Sequence, residues 1–236
     1  MSAVPKPGRA AAVAVPRREE IHESLMSAIV EHRLRPGTKL TEDRLAQIYG
    51  VSRTVIHGVL LRLSHERVVT LVHNRGAFVA SPTVDDAREV FEARRLIEPR
   101  IVERVCERIT RQQLGRIKAM LRAETRAREH DDRRAIVRLS GEFHVLLAEI
   151  AGNRLLMRTM HELTALTCLI ILLYDAPVAS ACQYGEHEQL AAAIERGDGR
   201  RAVQLMLQHL DHIEAALRLQ PAAPEDFDLE RALVGP

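Results

Sequence analysis

The sequence predicts a mainly α-helical protein of two units, a short N-terminal unit with a small β hairpin and a C-terminal bundle of six helices. Three observations predict this class. Apolar residues recur at helical spacing along most of the chain. Two short helices joined by a three-residue corner precede two short β-type runs, and no strand-like alternation follows residue 82.

Composition narrows the functional classes. Residues 1–82 hold 12 Lys and Arg against 7 Asp and Glu, net +5, and the rest of the chain holds 22 against 25, net −3. Unless this asymmetry is a chance surface imbalance, it indicates an anionic partner for the front unit only. Three widely spaced cysteines without a CxxC pair argue against disulfides and a thiolate zinc site, and favour the cytoplasm. No apolar run is long enough for a membrane span.

The N-terminal unit is expected to follow a disordered leader, residues 1–16. The first helix should run from about Arg18 to His32 and end at RPG. Thr41 should cap a second helix, TEDRLAQIYG, and Ser52 a third, SRTVIHGVLLRLSHE. The runs VVTLV and AFVA read as strands joined by a turn at HNRG, and Pro82 closes the unit.

The second and third helices form a helix-turn-helix pattern. In that motif the start of the second helix enters the major groove of DNA, and here it reads VSRT. Arg53 suits a bidentate contact to guanine, whereas Ser52 and Thr54 suit phosphate oxygens. Arg75 in the hairpin turn suits the minor groove or backbone, and Gly76 allows a close approach. The alternative for Arg53 is a solvated side chain.

The segment LTEDRLAQIYGVSRTVIHGVLLRLSHERVVTLVHNRGAFVASP resembles the winged helix-turn-helix of the GntR family of bacterial transcription regulators. The resemblance implies a DNA-binding domain over residues 17–82. It also implies a set of DNA-facing residues: Arg44, Arg53, Thr54, Asn74, Arg75 and Gly76. Where the family usually has TPVREAL this sequence has TVIHGVL, so that His57 replaces an arginine that often contacts DNA. We therefore expect an altered operator sequence.

The rest of the ordered chain is predicted to be helical near 83–108, 110–129, 132–151, 153–174, 179–196 and 198–219, with a flexible tail over residues 220–236. Residues 83–219 resemble the FCD domain, the ligand-sensing and dimerisation bundle of the FadR-like branch of the same family. The resemblance rests on VFEARRLIEP, EFHVLLAEIAGN, EHEQLAAAI with RGD, and MLQHLDHI.

The bundle also carries candidate metal ligands. His144 lies on the flank of an apolar helix face, where a lone histidine is usually a satisfied core residue. The resemblance supplies partners, because family metal sites use histidines that correspond to His144, His187 and His209. Three imidazoles from three helices of one bundle suit a divalent metal, Zn²⁺ first, with Ni²⁺ or Mn²⁺ as alternatives.

One position departs from the family pattern. Four residues before the first histidine the family usually has an aspartate, and this sequence has Ser140. We therefore expect a three-histidine site with water or effector oxygens at the remaining coordination positions and a weaker hold on metal. Glu142 points elsewhere, and His161 and His212 would add a fourth ligand only in an unusual bundle geometry.

Arg94 lies within an apolar stripe of the first bundle helix, and a buried guanidinium needs an anion. Family effectors are commonly small carboxylic acids held by the metal and an arginine. The resemblance thus makes Arg94 a carboxylate clamp, with Arg95 in reserve. The alternative is an internal ion pair with an acid such as Glu142.

Together these features predict a cytoplasmic regulator that binds a palindromic operator in double-stranded DNA as a homodimer, most simply a repressor, under the control of a small carboxylate. The alternative function is a metal sensor in which the divalent ion is itself the signal. A metal-dependent hydrolase is disfavoured, because the sequence has no HExxH motif, nucleophile elbow or P-loop. We therefore do not expect an enzyme.

Overall fold

The computed structural model describes residues 17–174 and 185–218. The expected leader, the expected tail and the break at DAP lie outside the described residues. Within them the predicted fold class is confirmed: a small N-terminal domain with three helices and a sheet is followed by six bundle helices.

The N-terminal domain packs three helices against a small antiparallel sheet. Its elements are α1 (Arg18–Val30), β1 (Lys39–Leu40), α2 (Glu42–Tyr49), α3 (Arg53–His65), β2 (Val69–Val72) and β3 (Gly76–Val79). β3 is the central strand, with β1 and β2 on either side. Strand β1 was not predicted from the sequence, because two residues are too few to show the alternation that indicates a strand.

Local backbone chemistry explains the tight corners of this domain. Gly50 ends α2 in the left-handed conformation, with φ of 64°. Glycine adopts this conformation with little strain, because it has no Cβ. In the hairpin turn Asn74 and Gly76 both have positive φ, 57° and 96°. The predicted apolar faces are buried, and the core includes Ile21, Leu25, Ile56, Leu60 and Leu63.

The bundle contains α4 (Val84–Arg108), α5 (Arg111–Glu129), α6 (Arg133–Ile150), α7 (Arg154–Leu173), α8 (Glu186–Glu195) and α9 (Gly199–Ala215). Thr83 starts α4 with a capping box: its hydroxyl accepts from the backbone of Asp86, and the Asp86 carboxylate accepts in return. The main core lies between α4, α5, α6, α8 and α9 around Phe143 and Leu147.

Helix α7 joins the bundle to the N-terminal domain. Ala165 and Leu169 are part of the core of the N-terminal domain. Nε2–H of His32 donates to the carbonyl of Cys168 at 2.9 Å, and the hydroxyl of Tyr174 donates to the carbonyl of Pro82 at 3.0 Å. Among the described helices, α7 alone is long and apolar enough to cross a membrane by length and composition, a test that core helices also pass.

Candidate metal centre and nucleic-acid interface

Three histidines of the bundle meet at one buried point. They are His144 on α6, His187 on α8 and His209 on α9, each no more than 3% exposed. Nε2 of His209 lies 3.2 Å from Nε2 of His144 and 3.3 Å from Nε2 of His187. The candidate ligand atoms of all three lie within 4.8 Å of one another. The structure thus brings together the three residues that the sequence singled out.

Each of these histidines is oriented by a glutamate, and the sequence analysis did not find these glutamates. Nδ1 of His144 lies 2.5 Å from Glu98 on α4, and Nδ1 of His187 lies 2.9 Å from Glu124 on α5. Nδ1 of His209 lies 2.7 Å from Glu186. A carboxylate only accepts, so every Nδ1 carries the proton and every Nε2 turns a lone pair to the common centre.

This donor set fits a divalent metal ion. Three nitrogen lone pairs that face one another in a buried site repel unless a cation lies between them. Zinc bound to imidazole nitrogens at about 2.0–2.1 Å in a tetrahedron would separate those nitrogens by about 3.3 Å. The two Nε2 separations of 3.2 and 3.3 Å match that value. When bound, the ion supplies positive charge and coordination positions for oxygen ligands.

Ionisation of the site suits metal binding. Burial lowers the pKa of His144 to about 4 and that of His209 to about 3, despite the glutamates that oppose the shift. Burial alone would raise the pKa of Glu98, but Arg94 and His144 outweigh it and hold that pKa at about 2. His187 and Arg128 similarly outweigh burial and hold the pKa of Glu124 at about 2. Near pH 7 these two imidazoles are neutral and these carboxylates are charged, as ligation requires.

A cavity of about 30 Å³ adjoins His144 on the side of α7. Ser140 and Thr167 supply polar groups to its wall, and Ile136, Ile171 and Ile213 supply apolar ones. Ser140 stands one helical turn before His144, as the sequence predicts. The cavity is therefore placed to hold a ligand that also reaches the three-histidine centre.

Arg94 lines this cavity and is 1% exposed. Its Nε donates to Glu98 at 2.5 Å and its Nη1 donates to Thr167 at 3.2 Å. Nη2 is buried and has no hydrogen-bond partner among the described residues. The alternative of an internal ion pair for Arg94 is therefore confirmed with Glu98 as the partner, whereas the suggested acid Glu142 is wrong, because its carboxylate accepts from Arg138.

The other candidate residues lie outside the centre. Arg95 does not line the cavity and pairs with Asp211, at 2.9 Å, and with Glu214. Nδ1 of His212 pairs with the second oxygen of Glu186. His161 lines a separate groove between the two domains.

The predicted DNA-contacting residues are all exposed. They lie on α2, at the start of α3 and in the hairpin turn: Arg44, Ser52, Arg53, Thr54, His57, Asn74, Arg75 and Gly76. Two acidic residues that were not predicted to take part contact side chains of this surface. Glu42 accepts from Nδ1 of His57 at 2.9 Å, and Arg53 lies 3.1 Å from Asp43 and 3.5 Å from Glu42. In the free protein Arg53 and His57 therefore pair with acidic residues of α2.

Two family models match this chain. The model described as bacterial regulatory proteins, gntR family, matches residues 17–79, and the FCD domain model matches residues 89–212. Similar sequences include the HTH-type transcriptional repressor RspR of Escherichia coli (strain K12), 24% identical over 86% of this chain and 90% of that protein. The HTH-type transcriptional regulator LutR of Bacillus subtilis (strain 168) is 26% identical over 78% of this chain and 93% of that protein.

Solved structures share the same fold. E. coli McbR/YncC aligns with a TM-score of 0.74 and 19% identity, over 86% of this chain and 96% of that one. A putative transcriptional regulator GntR from Rhodococcus sp. RHA1 also has a TM-score of 0.74, with 23% identity over 84% and 95% of the two chains.

The glutamate contacts of the centre give a first prediction. Glu186→Gln keeps an acceptor for His209 but removes the negative charge, so we expect zinc affinity to fall about ten- to a hundredfold. Competition with a chromophoric chelator measures it. Glu188→Gln, which changes an exposed acid of the same helix, is the control. Equal affinities for the two variants would contradict the orienting role of the glutamates.

Proposed function

Because the chain belongs to the gntR family of bacterial regulatory proteins and carries an FCD domain, we propose that it is a cytoplasmic repressor controlled by a small carboxylate at a metal site. Family membership makes it a transcription regulator and not an enzyme. The proposal adds a homodimer of the FadR-like branch that reads a palindromic operator, since two-fold symmetric proteins match two-fold symmetric sites. The repressor role is suggested by the printed name of RspR.

The observation that carries the effector proposal is that Arg94 lines the cavity beside His144 and that its buried Nη2 has no hydrogen-bond partner among the described residues. A buried donor without a partner costs about 1–3 kcal/mol, and a carboxylate oxygen would remove that cost. The same carboxylate would approach the remaining coordination positions of the ion. Arg94 and the metal would then hold one ligand from two sides.

Cavity size and charge restrict the effector further. The cavity is small, about 30 Å³. The described charged side chains at the centre are two arginines and three glutamates: Arg94, Arg128, Glu98, Glu124 and Glu186. With a divalent ion bound, the net charge of this set would be +1. A small monocarboxylate matches both restrictions better than a dicarboxylate.

Ser140 fits a role in the ligand cavity rather than in direct ligation. The family's aspartate at this position would add a charged oxygen next to His144, whereas a serine hydroxyl is a weak metal ligand. Ser140 lines the cavity, where its hydroxyl can donate to an effector oxygen. We infer a three-histidine site completed by water or effector oxygens.

The switch that we propose passes through α7 to the linker at residues 81–83. Thr167 and Cys168 of α7 line the ligand cavity, and Tyr174 at its end holds the carbonyl of Pro82. A ligand that shifts α7 would therefore move the linker that carries the DNA-binding domain. It can do so only to the extent that it binds the two states with different affinity.

A second candidate function is that the divalent ion itself is the signal. It is favoured by the complete set of three histidines with their own carboxylates, which needs no organic ligand. Operator binding that depends steeply on metal, and on no carboxylate, would support this metal-sensor function.

The recognition helix can be tested with Arg53→Ala. We expect preference for a duplex selected from a random library over a scrambled duplex to fall about ten- to a hundredfold, the loss of one bidentate base contact. Fluorescence anisotropy at one fixed salt concentration measures both affinities. Arg88→Ala, at an exposed arginine of α4, is the control. Unchanged preference in Arg53→Ala would overturn the assignment.

The metal centre can be tested with His187→Ala. Elemental analysis should find about one divalent ion per purified wild-type chain and none in the variant, because one of three ligands is gone. His161→Ala, in the groove outside the centre, should keep the ion. Stoichiometric metal in His187→Ala would show that the ligands are misassigned.

The route through α7 can be tested with Tyr174→Phe, which removes only the hydroxyl that donates to Pro82. We expect zinc affinity to stay within about twofold, whereas the difference in operator affinity between zinc-loaded and chelator-treated protein shrinks. Tyr49→Phe is the matched control, since its hydroxyl bonds to Ser24 inside the N-terminal domain. A full response in Tyr174→Phe would exclude this contact from the switch.

A further inference from the structure

A groove of about 1,110 Å³ runs between the N-terminal domain and the bundle. Met26 and Val30 of α1 line it on one side, and α6 and α7 line it on the other. Three residues line both this groove and the small cavity beside the metal centre: Gly141, Thr164 and Cys168. These three residues, which we call the neck, separate the cavity from the groove.

We propose that small ligands and the metal ion reach the buried centre from the interdomain groove through this neck, and that Gly141 sets its width. The inference rests on the proposed function, because it concerns access to the same metal and effector site. It adds an entry path and a controlling residue, which neither the ligand set nor the family matches supply.

Gly141 lies inside α6, where a glycine destabilises the helix by about 0.5–1 kcal/mol relative to alanine. Close packing around the residue does not explain why a glycine is present. A Cβ at Gly141 would lie 3.7 Å from Sγ of Cys168 and 3.9 Å from Cβ of Thr164, which are ordinary van der Waals contacts. Its φ is not in the left-handed region either. Alanine would therefore fit without strain, and what its methyl group would fill is the space between α6 and α7 at the neck.

The burial of the three histidines and the polar groups at the neck favour an entry path through the neck. The three histidines are almost fully buried, so the ion and any oxygen ligand need a path through protein. Val137, Ile171 and Ile213 present apolar groups to the cavity. The neck offers the hydroxyl oxygen of Thr164 and the thiol of Cys168, and it borders a groove with many charged side chains.

The neck also lies at a contact between the two domains. The backbone carbonyl of Cys168 accepts from His32 at the end of α1, while the Cys168 side chain lines both spaces. A change in the position of the N-terminal domain would therefore alter the neck. Access to the centre and the position of the DNA-binding domain thus share one structural element.

The test uses Zn²⁺ as the probe and the full-length chain. Zinc uptake by the metal-free protein and zinc release into excess chromophoric chelator are both followed by stopped flow for wild type, Gly141→Ala and the control Gly115→Ala. Gly115 is a helix glycine of α5 with open space around a Cβ. We expect Gly141→Ala to slow uptake and release together about tenfold, with zinc affinity within about twofold, because a gate changes rates and not the bound state. Gly115→Ala should match wild type.

Unchanged exchange in Gly141→Ala, or equal slowing in Gly115→Ala, would overturn the neck as the entry path. Reduced zinc affinity with an unchanged rate of uptake would also overturn it, since the substitution would then act on the bound state. Urea unfolding checks that Gly141→Ala is at least as stable as wild type, as a helical glycine-to-alanine change predicts.

A second measurement needs no metal. In a Cys106→Ser/Cys182→Ser background, methyl methanethiosulfonate can modify only Cys168, whose burial raises its pKa to about 12 and makes the reaction slow enough to follow. Gly141→Ala should slow modification of metal-free protein about tenfold, and Gly115→Ala should not. If wild type binds no zinc, the proposed metal function fails, and this reaction still decides whether the neck controls access.

Discussion

The buried chain of contacts from Arg94 through Glu98 to His144 is the constraint on which the site depends. Each group is at most 3% exposed, so each charge must find its partner inside the protein. Glu98 satisfies the guanidinium with one oxygen and Nδ1 of His144 with the other. One carboxylate thereby fixes the tautomer of a candidate metal ligand, while Nη2 of Arg94, a residue that lines the cavity, has no hydrogen-bond partner among the described residues.

Carboxylate–imidazole pairs of the same kind surround the centre and connect the helices of the bundle. Glu98 links α4 to α6, Glu124 links α5 to α8, and Glu186 links the start of α8 to α9. Five bundle helices therefore meet through three carboxylate–imidazole pairs whose Nε2 atoms converge. Because those lone pairs repel one another, an ion at the centre would stabilise helix packing as well as bind a ligand.

Periodicity predicted the helices well, since apolar faces such as Ile21, Leu25 and Ile29 are buried as their spacing requires. The stripe through Arg94 likewise predicted a buried guanidinium. The internal ion pair given as the alternative for Arg94 is present, but its acid is Glu98, one turn further along the same helix, and not Glu142. Helical glutamates usually face solvent, and nothing local in the sequence distinguishes Glu124 or Glu186 from that majority. Their contacts span 63 and 23 residues, so only the folded bundle identifies them.

Helix α7 contacts three parts of the molecule that communication between the two domains would involve. Around α7, Thr167 faces the ligand cavity, Leu169 packs in the core of the N-terminal domain, and Tyr174 bonds to the linker. A packed helix moves as a unit, because close-packed interiors do not deform locally without cost. A ligand that displaces the Thr167 side of α7 must therefore also change the contacts of Leu169 or Tyr174. The DNA-binding domain and the proposed ligand-binding domain thus share a structural element, which supports the proposed switch.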